Sequence, residues 1–193
     1  RYGLGLQMLL YLFTLKEEGR ALFGGQEIVP AGVLYTPARE PMLRCARDTA
    51  PEKIEKARKK ELRRSGMVLE DPAVLQAMEH SALTSPCYLP IAVKKDGAVT
   101  GSLASAEQLG KLSKYVDRLL HEITQEVFAG NIDADPYART PQLSACTYCE
   151  FASACHFENG CGSDRMEYIK ATKNDEFWQH IDEVNGKEAR SDG

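Results

Sequence analysis

Three cysteines fall in one short run toward the C-terminal end, Cys146-Thr-Tyr-Cys149-Glu-Phe-Ala-Ser-Ala-Cys155, spaced C-x2-C-x5-C. No other stretch constrains the fold so strongly. The first two thiols, two residues apart, can turn onto one point, and the third can close from another side. Thiolates are soft ligands, and this spacing suits zinc or an iron–sulfur cluster. Either centre takes four ligands, and the run supplies three. Cys161 or His156 could be the fourth, as could a cysteine outside this chain. Six cysteines in 193 residues are too sparse for a disulfide scaffold, and their clustering reads as metal binding in a reducing cytosol.

The length allows one full core, or a core with a small appendage. The formal net charge of −4 gives no global basic field, although a local basic patch can still bind phosphate. The longest apolar run, Met8 to Phe13, is far too short to cross a bilayer. The expectation is a cytoplasmic protein with no membrane contact. The first residue is Arg1, and an apolar helical pattern begins at once with no capping residue ahead of it. A piece of a longer chain is therefore expected.

Periodicity predicts an α+β fold, mostly helical. Residues 3–18 read as a helix apolar nearly all round, and such a helix is expected to be buried. Gln7 sits within it, and a buried amide without a partner costs about 1–3 kcal/mol. Tyr11, four residues on, shares its face. Gly19 is the expected stop. A strand follows over 28–35, delayed by Pro30 to near Ala31. Thr49-Ala-Pro51-Glu52 offers a capping box for a helix to about Arg64, ended by Gly66. Asp71-Pro72 caps a shorter helix to about His80. Asp96-Gly97 between two extended runs predicts a hairpin. Ser105-Ala-Glu-Gln108 caps a long amphipathic helix ended by Gly130-Asn131. A Pro-containing connector, a last helix over 174–184 and a polar, disordered tail from Lys187 complete the chain. These elements suggest four segments: 1–50, 51–135, 136–170 and 171–193.

Gln7-Met-Leu-Leu-Tyr11 resembles the Q-x-x-x-Y motif of RecB-type nucleases in the PD-(D/E)XK superfamily. With the terminal cysteine run, Tyr148, Phe151 and Phe157 around it and Pro141 ahead, the layout from Gly3 to about Phe157 resembles the nuclease domain of the AddB family of ATP-dependent helicase/deoxyribonuclease subunits. This resemblance implies that residues 1–50 are the second half of a nuclease core, 51–135 a helical cover, and 136–170 a Cys-rich staple. It implies that Cys146, Cys149 and Cys155 join one upstream cysteine around a [4Fe–4S] cluster, and that Gln7 and Tyr11 support the active site or the DNA strand. The acids that bind Mg²⁺ and the catalytic lysine would also lie upstream, since no Asp…Glu-x-Lys hairpin precedes the Gln7 helix. The piece alone would then be inactive, with its cysteines cluster-free or zinc-filled. Its parent would resect double-strand DNA ends with an AddA-type helicase–nuclease partner, meeting duplex ends and single strands, for recombinational repair.

The helix over 52–64 is strongly basic. Ordinarily this is a solvated surface with i,i+4 pairs; its functional reading is a DNA-contacting flank through Lys56, Lys60, Arg63 and Arg64. Lys94 and Lys95 are a lesser candidate. Cys45 and Cys87 read as ordinary core or loop residues, and His121 as structural. Two alternatives stand beside the main reading: a zinc-stabilised interaction module closed by Cys161, and a CRISPR-associated RecB-like exonuclease. A buried first helix deprived of its sheet would expose an apolar patch, so self-association through residues 3–35 is expected.

Overall fold

A computed structural model describes residues 5–140 and 142–191; Gly3, Leu4 and Pro141 of the expected pattern lie outside them. The chain divides into two compact units, Gly5–Val116 and the residues from Asp117 onward, with the division inside one long helix. The described residues form six helices and eight short strands, an α+β fold.

The first unit begins with α1 (Gln7–Leu22) and β1 (Gly32–Tyr35). Pro30 delays the strand as expected. Gly19 does not stop α1; it is buried inside the helix, where a Cβ would come within 3.1 Å of Ile28. Nor is α1 buried. Phe13 is its only buried large side chain, and Gln7, Met8 and Leu15 are exposed. Helical periodicity shows which faces can be covered, and within this unit only the Phe13 side finds a cover.

Next come α2 (Pro51–Glu61), β2 (Ser65–Leu69) and α3 (Pro72–Met78). The capping box at Thr49 does not form: Ala50 is the N-cap and no side chain caps the helix. Asp71 does cap α3, accepting from the Val74 N–H at 3.0 Å, an arrangement worth about 1 kcal/mol. β2 departs from expectation, because Gly66 reads as a helix stop; instead it lies in the central strand of a sheet. β1 runs antiparallel to β2, pairing Leu34 with Gly66, and β5 (Leu103–Ala104) runs parallel on the other edge.

β3 (Ile91–Val93) and β4 (Val99–Gly101) form the expected hairpin. Of the two turn residues only Gly97 takes positive φ, at 86°, so the loop is a type I turn closed by one left-handed glycine rather than a mirror-image turn. Val68, Leu75, Ala82, Leu89 and Ile91 form the core, with Leu34, Met78, Val99 and Leu103 packed against it. α4 (Ala106–Phe128) opens on the expected capping box: Ser105 N–H donates to Gln108 Oε1 at 2.8 Å and Gln108 N–H to Ser105 Oγ at 3.1 Å. Leu109, Leu112, Tyr115 and Val116 bury its first half.

In the second unit α4 ends on paired bonds from Gly130 N–H to Val127 O and Asn131 N–H to Glu126 O, the Schellman closure expected of Gly-Asn. The connector beyond it holds unexpected strands. β6 (Tyr137–Thr140) lies between β7 (Leu143–Ser144) and β8 (Glu167–Tyr168). α5 (Ala152–Cys155) carries the third cysteine, and α6 (Asn174–Ser191) outruns its expected end at Val184, so that residues 187–191 are helical rather than disordered. Residues 192 and 193 lie outside the described residues. Ile181 is fully buried, and the Phe177 and Trp178 rings meet edge-on at 5.1 Å. Among the described residues no helix is long and apolar enough to cross a membrane.

Candidate functional site

Gln7 opens α1, and one helical turn places Tyr11 above it. Gln7 Nε2 donates to Tyr11 Oη at 2.7 Å. The pair is exposed, with Tyr11 54% accessible, so the amide has its partner on the surface and not in a core.

The cysteine run lies on a turn followed by the single turn of α5. Thr147 Oγ1 accepts from Ser144 N–H and donates to Gln142 O, both at 3.1 Å, and Cys149 N–H donates to Cys146 O at 3.2 Å. His156 caps α5 in the left-handed region at φ 52°. Cys146 is half-buried; Cys149, Cys155 and Cys161 are exposed, and all four thiols are free. Tyr148 and Phe151 beside them are 93% and 73% accessible. Among the described residues no group of three or more His, Cys, Asp or Glu side chains could hold a metal ion. These hydrogen bonds fix the backbone of the run. Cys146, Cys149 and Cys155 supply three soft donors, one short of the four that a cluster or a zinc ion takes.

The basic helix α2 borders an open cavity of about 820 Å³. Lys53, Lys56, Lys59, Lys60 and Arg63 line it from the helix side; Ser81, Ser85 and Cys87 line it from the loop after α3. Of the four residues singled out as DNA contacts, Lys56 and Lys60 open onto this space. Arg63 lines it too, but its guanidinium donates through Nε to Leu89 O at 2.8 Å and through Nη2 to Ile91 O, tying the end of α2 to β3. Arg64 does not line the cavity. Lys94 and Lys95 are exposed on the hairpin loop. His121 stands in the open, bonded to Gln125 at 3.0 Å, rather than packed.

Glu79, just past α3, belongs to no motif in the sequence. Its carboxylate accepts from the N–H groups of Cys87, Tyr88 and Leu89, at 2.5, 3.1 and 2.9 Å, and from Ser81 Oγ at 3.4 Å. Burial pushes its pKa up, but the backbone donors Cys87, Leu89 and Tyr88, with Ser81, together outweigh it and hold the group below the ordinary glutamate value. Sequence reasoning has no signal for it, because its partners lie eight to ten residues on in an irregular loop.

A family model for the PD-(D/E)XK nuclease superfamily matches residues 1–156, from before the Gln7–Tyr11 helix to just past the third cysteine. The chain belongs to the PD-(D/E)XK nuclease superfamily. Within it, the chain is similar to proteins named as the B subunit of ATP-dependent helicase/deoxyribonuclease. That of Ruminiclostridium cellulolyticum is 31% identical over 189 residues, 97% of this chain and 16% of the relative. Those of Acetivibrio thermocellus and Desulforudis audaxviator are each 34% identical, over 92% of this chain and 15% of the relative. The chain thus spans less than a fifth of the length of these relatives. Both the Q-x-x-x-Y pair and all three clustered cysteines fall within the stretch matched to the nuclease superfamily.

Proposed function

We propose that this chain is the C-terminal part of the nuclease domain of AddB, the B subunit of an ATP-dependent helicase/deoxyribonuclease. The assembled enzyme would resect double-strand DNA ends in the cytoplasm for recombinational repair, alongside an AddA-type helicase–nuclease partner. What carries the reading is the similarity of nearly the whole chain to subunits of that name, joined to a nuclease-superfamily match. Phosphodiester hydrolysis needs a metal to activate water and neutralise charge on the phosphate. This chain has no Asp…Glu-x-Lys hairpin ahead of α1, so its part is support: Gln7 and Tyr11 would stand beside the DNA strand or active site. Alone, the 193-residue chain would not cut DNA.

The test uses a full-length AddB carrying this sequence, assembled with its partner. Loss of a hydrogen bond to a charged phosphate costs about 1.5–3 kcal/mol, so Tyr11→Phe and Gln7→Ala should each slow nuclease turnover by roughly tenfold to a hundredfold with ATP hydrolysis unchanged. Wild-type nuclease rates in both variants would remove the pair from the DNA site. An assembled complex that cuts no DNA end would remove the function itself.

The cofactor belongs to the same proposal. Three thiols in a C-x2-C-x5-C run are the right donors for a [4Fe–4S] cluster, with the fourth ligand supplied from elsewhere. Iron and acid-labile sulfide, measured on anaerobically purified full-length protein, should be present at cluster stoichiometry and be lost on Cys149→Ser. One zinc per chain with no sulfide would replace the cluster by a structural zinc site.

A further inference from the structure

The basic face of α2 is uncompensated on one side only. Arg58 pairs with Glu40 at 3.2 Å, and Lys59 with Glu55 at 3.8 Å. Lys53, Lys56 and Lys60 sit at i, i+3 and i+7, hence on one face. All three are exposed and line the cavity, and among the described residues no carboxylate pairs with them. The opposite wall offers hydroxyls from Ser81 and Ser85 and no acid. The nearby Glu79 is engaged by the N–H groups of residues 87–89. Arg63, bonded to Leu89 O and Ile91 O, holds the helix against β3, so the lysine row stands on a fixed support.

Three free ammonium groups facing hydroxyls across a concave opening match a chain of phosphates. The row covers roughly 10 Å of helix axis, enough for a few successive phosphates. No aromatic ring lines the cavity, so bases have nothing to stack on and the contact would be blind to sequence. A flexible single strand can follow a concave surface that a stiff duplex would bridge. We propose that the cavity between α2 and residues 81–87 is a site for the backbone of single-stranded nucleic acid, held by Lys53, Lys56 and Lys60. The inference rests on the nuclease reading and adds to it a track for the strand, separate from the Gln7–Tyr11 pair.

Fluorescence anisotropy of labelled oligo(dT) with the full-length subunit carrying this sequence, without ATP or divalent metal and across a salt series, tests this without any catalysis. Each phosphate neutralised on a single strand contributes about 0.7 to the slope of log affinity against log salt. Lys53→Gln/Lys56→Gln/Lys60→Gln should therefore flatten the slope by about 2 and weaken binding at least about tenfold at low salt. Glutamine keeps the helix propensity of lysine, and circular dichroism checks that the variant is folded. Lys111→Gln/Lys114→Gln, on α4, should leave the slope as it was. Oligo(dT) binding with an unchanged slope in the triple variant overturns this site and leaves the nuclease reading standing. Equal flattening by the α4 pair overturns it as well. So does lysine-dependent binding of poly-glutamate without binding of oligo(dT), which would assign the cavity to an acidic polypeptide.

Discussion

Gly66→Val is expected to destabilise the first unit by about 2–6 kcal/mol, a large share of the stability of a domain this size. Gly66 lies in β2 opposite Leu34, with φ at 128°. A Cβ there would stand 2.1 Å from Val33 O and 3.0 Å from the Val33 carbonyl carbon. Both are backbone atoms, so no rotamer change relieves the clash. Backbone strain of this kind costs about 1–3 kcal/mol, and forced repacking typically about as much again, against a usual total of about 5–15 kcal/mol. Gly97→Ala supplies the contrast. It too has positive φ, but nothing lies within 4 Å of its added Cβ, so only the conformational strain remains. Urea unfolding followed by circular dichroism should show a large fall in midpoint for Gly66→Val and a small one for Gly97→Ala. Equal midpoints would mean that β1 and β2 do not pair in this register.

Glu79→Ala should lose about 3 kcal/mol. The substitution strips one acceptor from three successive backbone N–H groups, and an orphaned donor costs about 1–3 kcal/mol where water cannot fully replace the acceptor. The loop 81–89 should loosen with it, exposing Leu89, which is fully buried in the core. The same carboxylate makes the unit acid-sensitive. Its pKa is lower folded than unfolded, so the folded state favours the charged form. The stabilisation is complete above the ordinary glutamate value and is lost as the pH falls through the lower folded value. Glu79→Gln keeps an acceptor oxygen but has no proton to take up, so it should lower stability at neutral pH while flattening the acid limb. A wild-type acid limb in Glu79→Gln would place the pH dependence elsewhere.

The legible parts of this chain are those whose instructions are local. Asp71 before Pro72, and Ser105 with Gln108, name their helices because the capping bonds run to backbone three residues away. The Asp96-Gly97 hairpin is of the same kind. The Gln7–Tyr11 contact follows from helical spacing alone. β2 escapes a sequence reading because five residues with a glycine second, Ser65–Leu69, carry too little pattern, and it becomes a strand only through β1 and β5, far off in sequence. The polar strands β6 to β8 escape for the same reason. The exposure of α1 runs against its sequence because an apolar surface records a capacity for burial, not the presence of a cover. The basic helix is legible as charge. Which of its cations stay uncompensated depends on Glu40, eighteen residues before its partner Arg58, and the cavity they face depends on the path of the loop after α3. Glu79 lies beyond sequence reading for that reason too.

The Gln7–Tyr11 bond has a polarity. The amide nitrogen of Gln7 fills a lone pair on the Tyr11 oxygen, which leaves the phenolic hydrogen pointing outward and the amide oxygen turned the other way. A visitor to the phenol must bring electron density, as a phosphodiester oxygen does. An amine or a base N–H would find an acceptor at the Gln7 oxygen. The doublet thus offers a donor at the phenol and an acceptor at the amide, side by side on an exposed helix face.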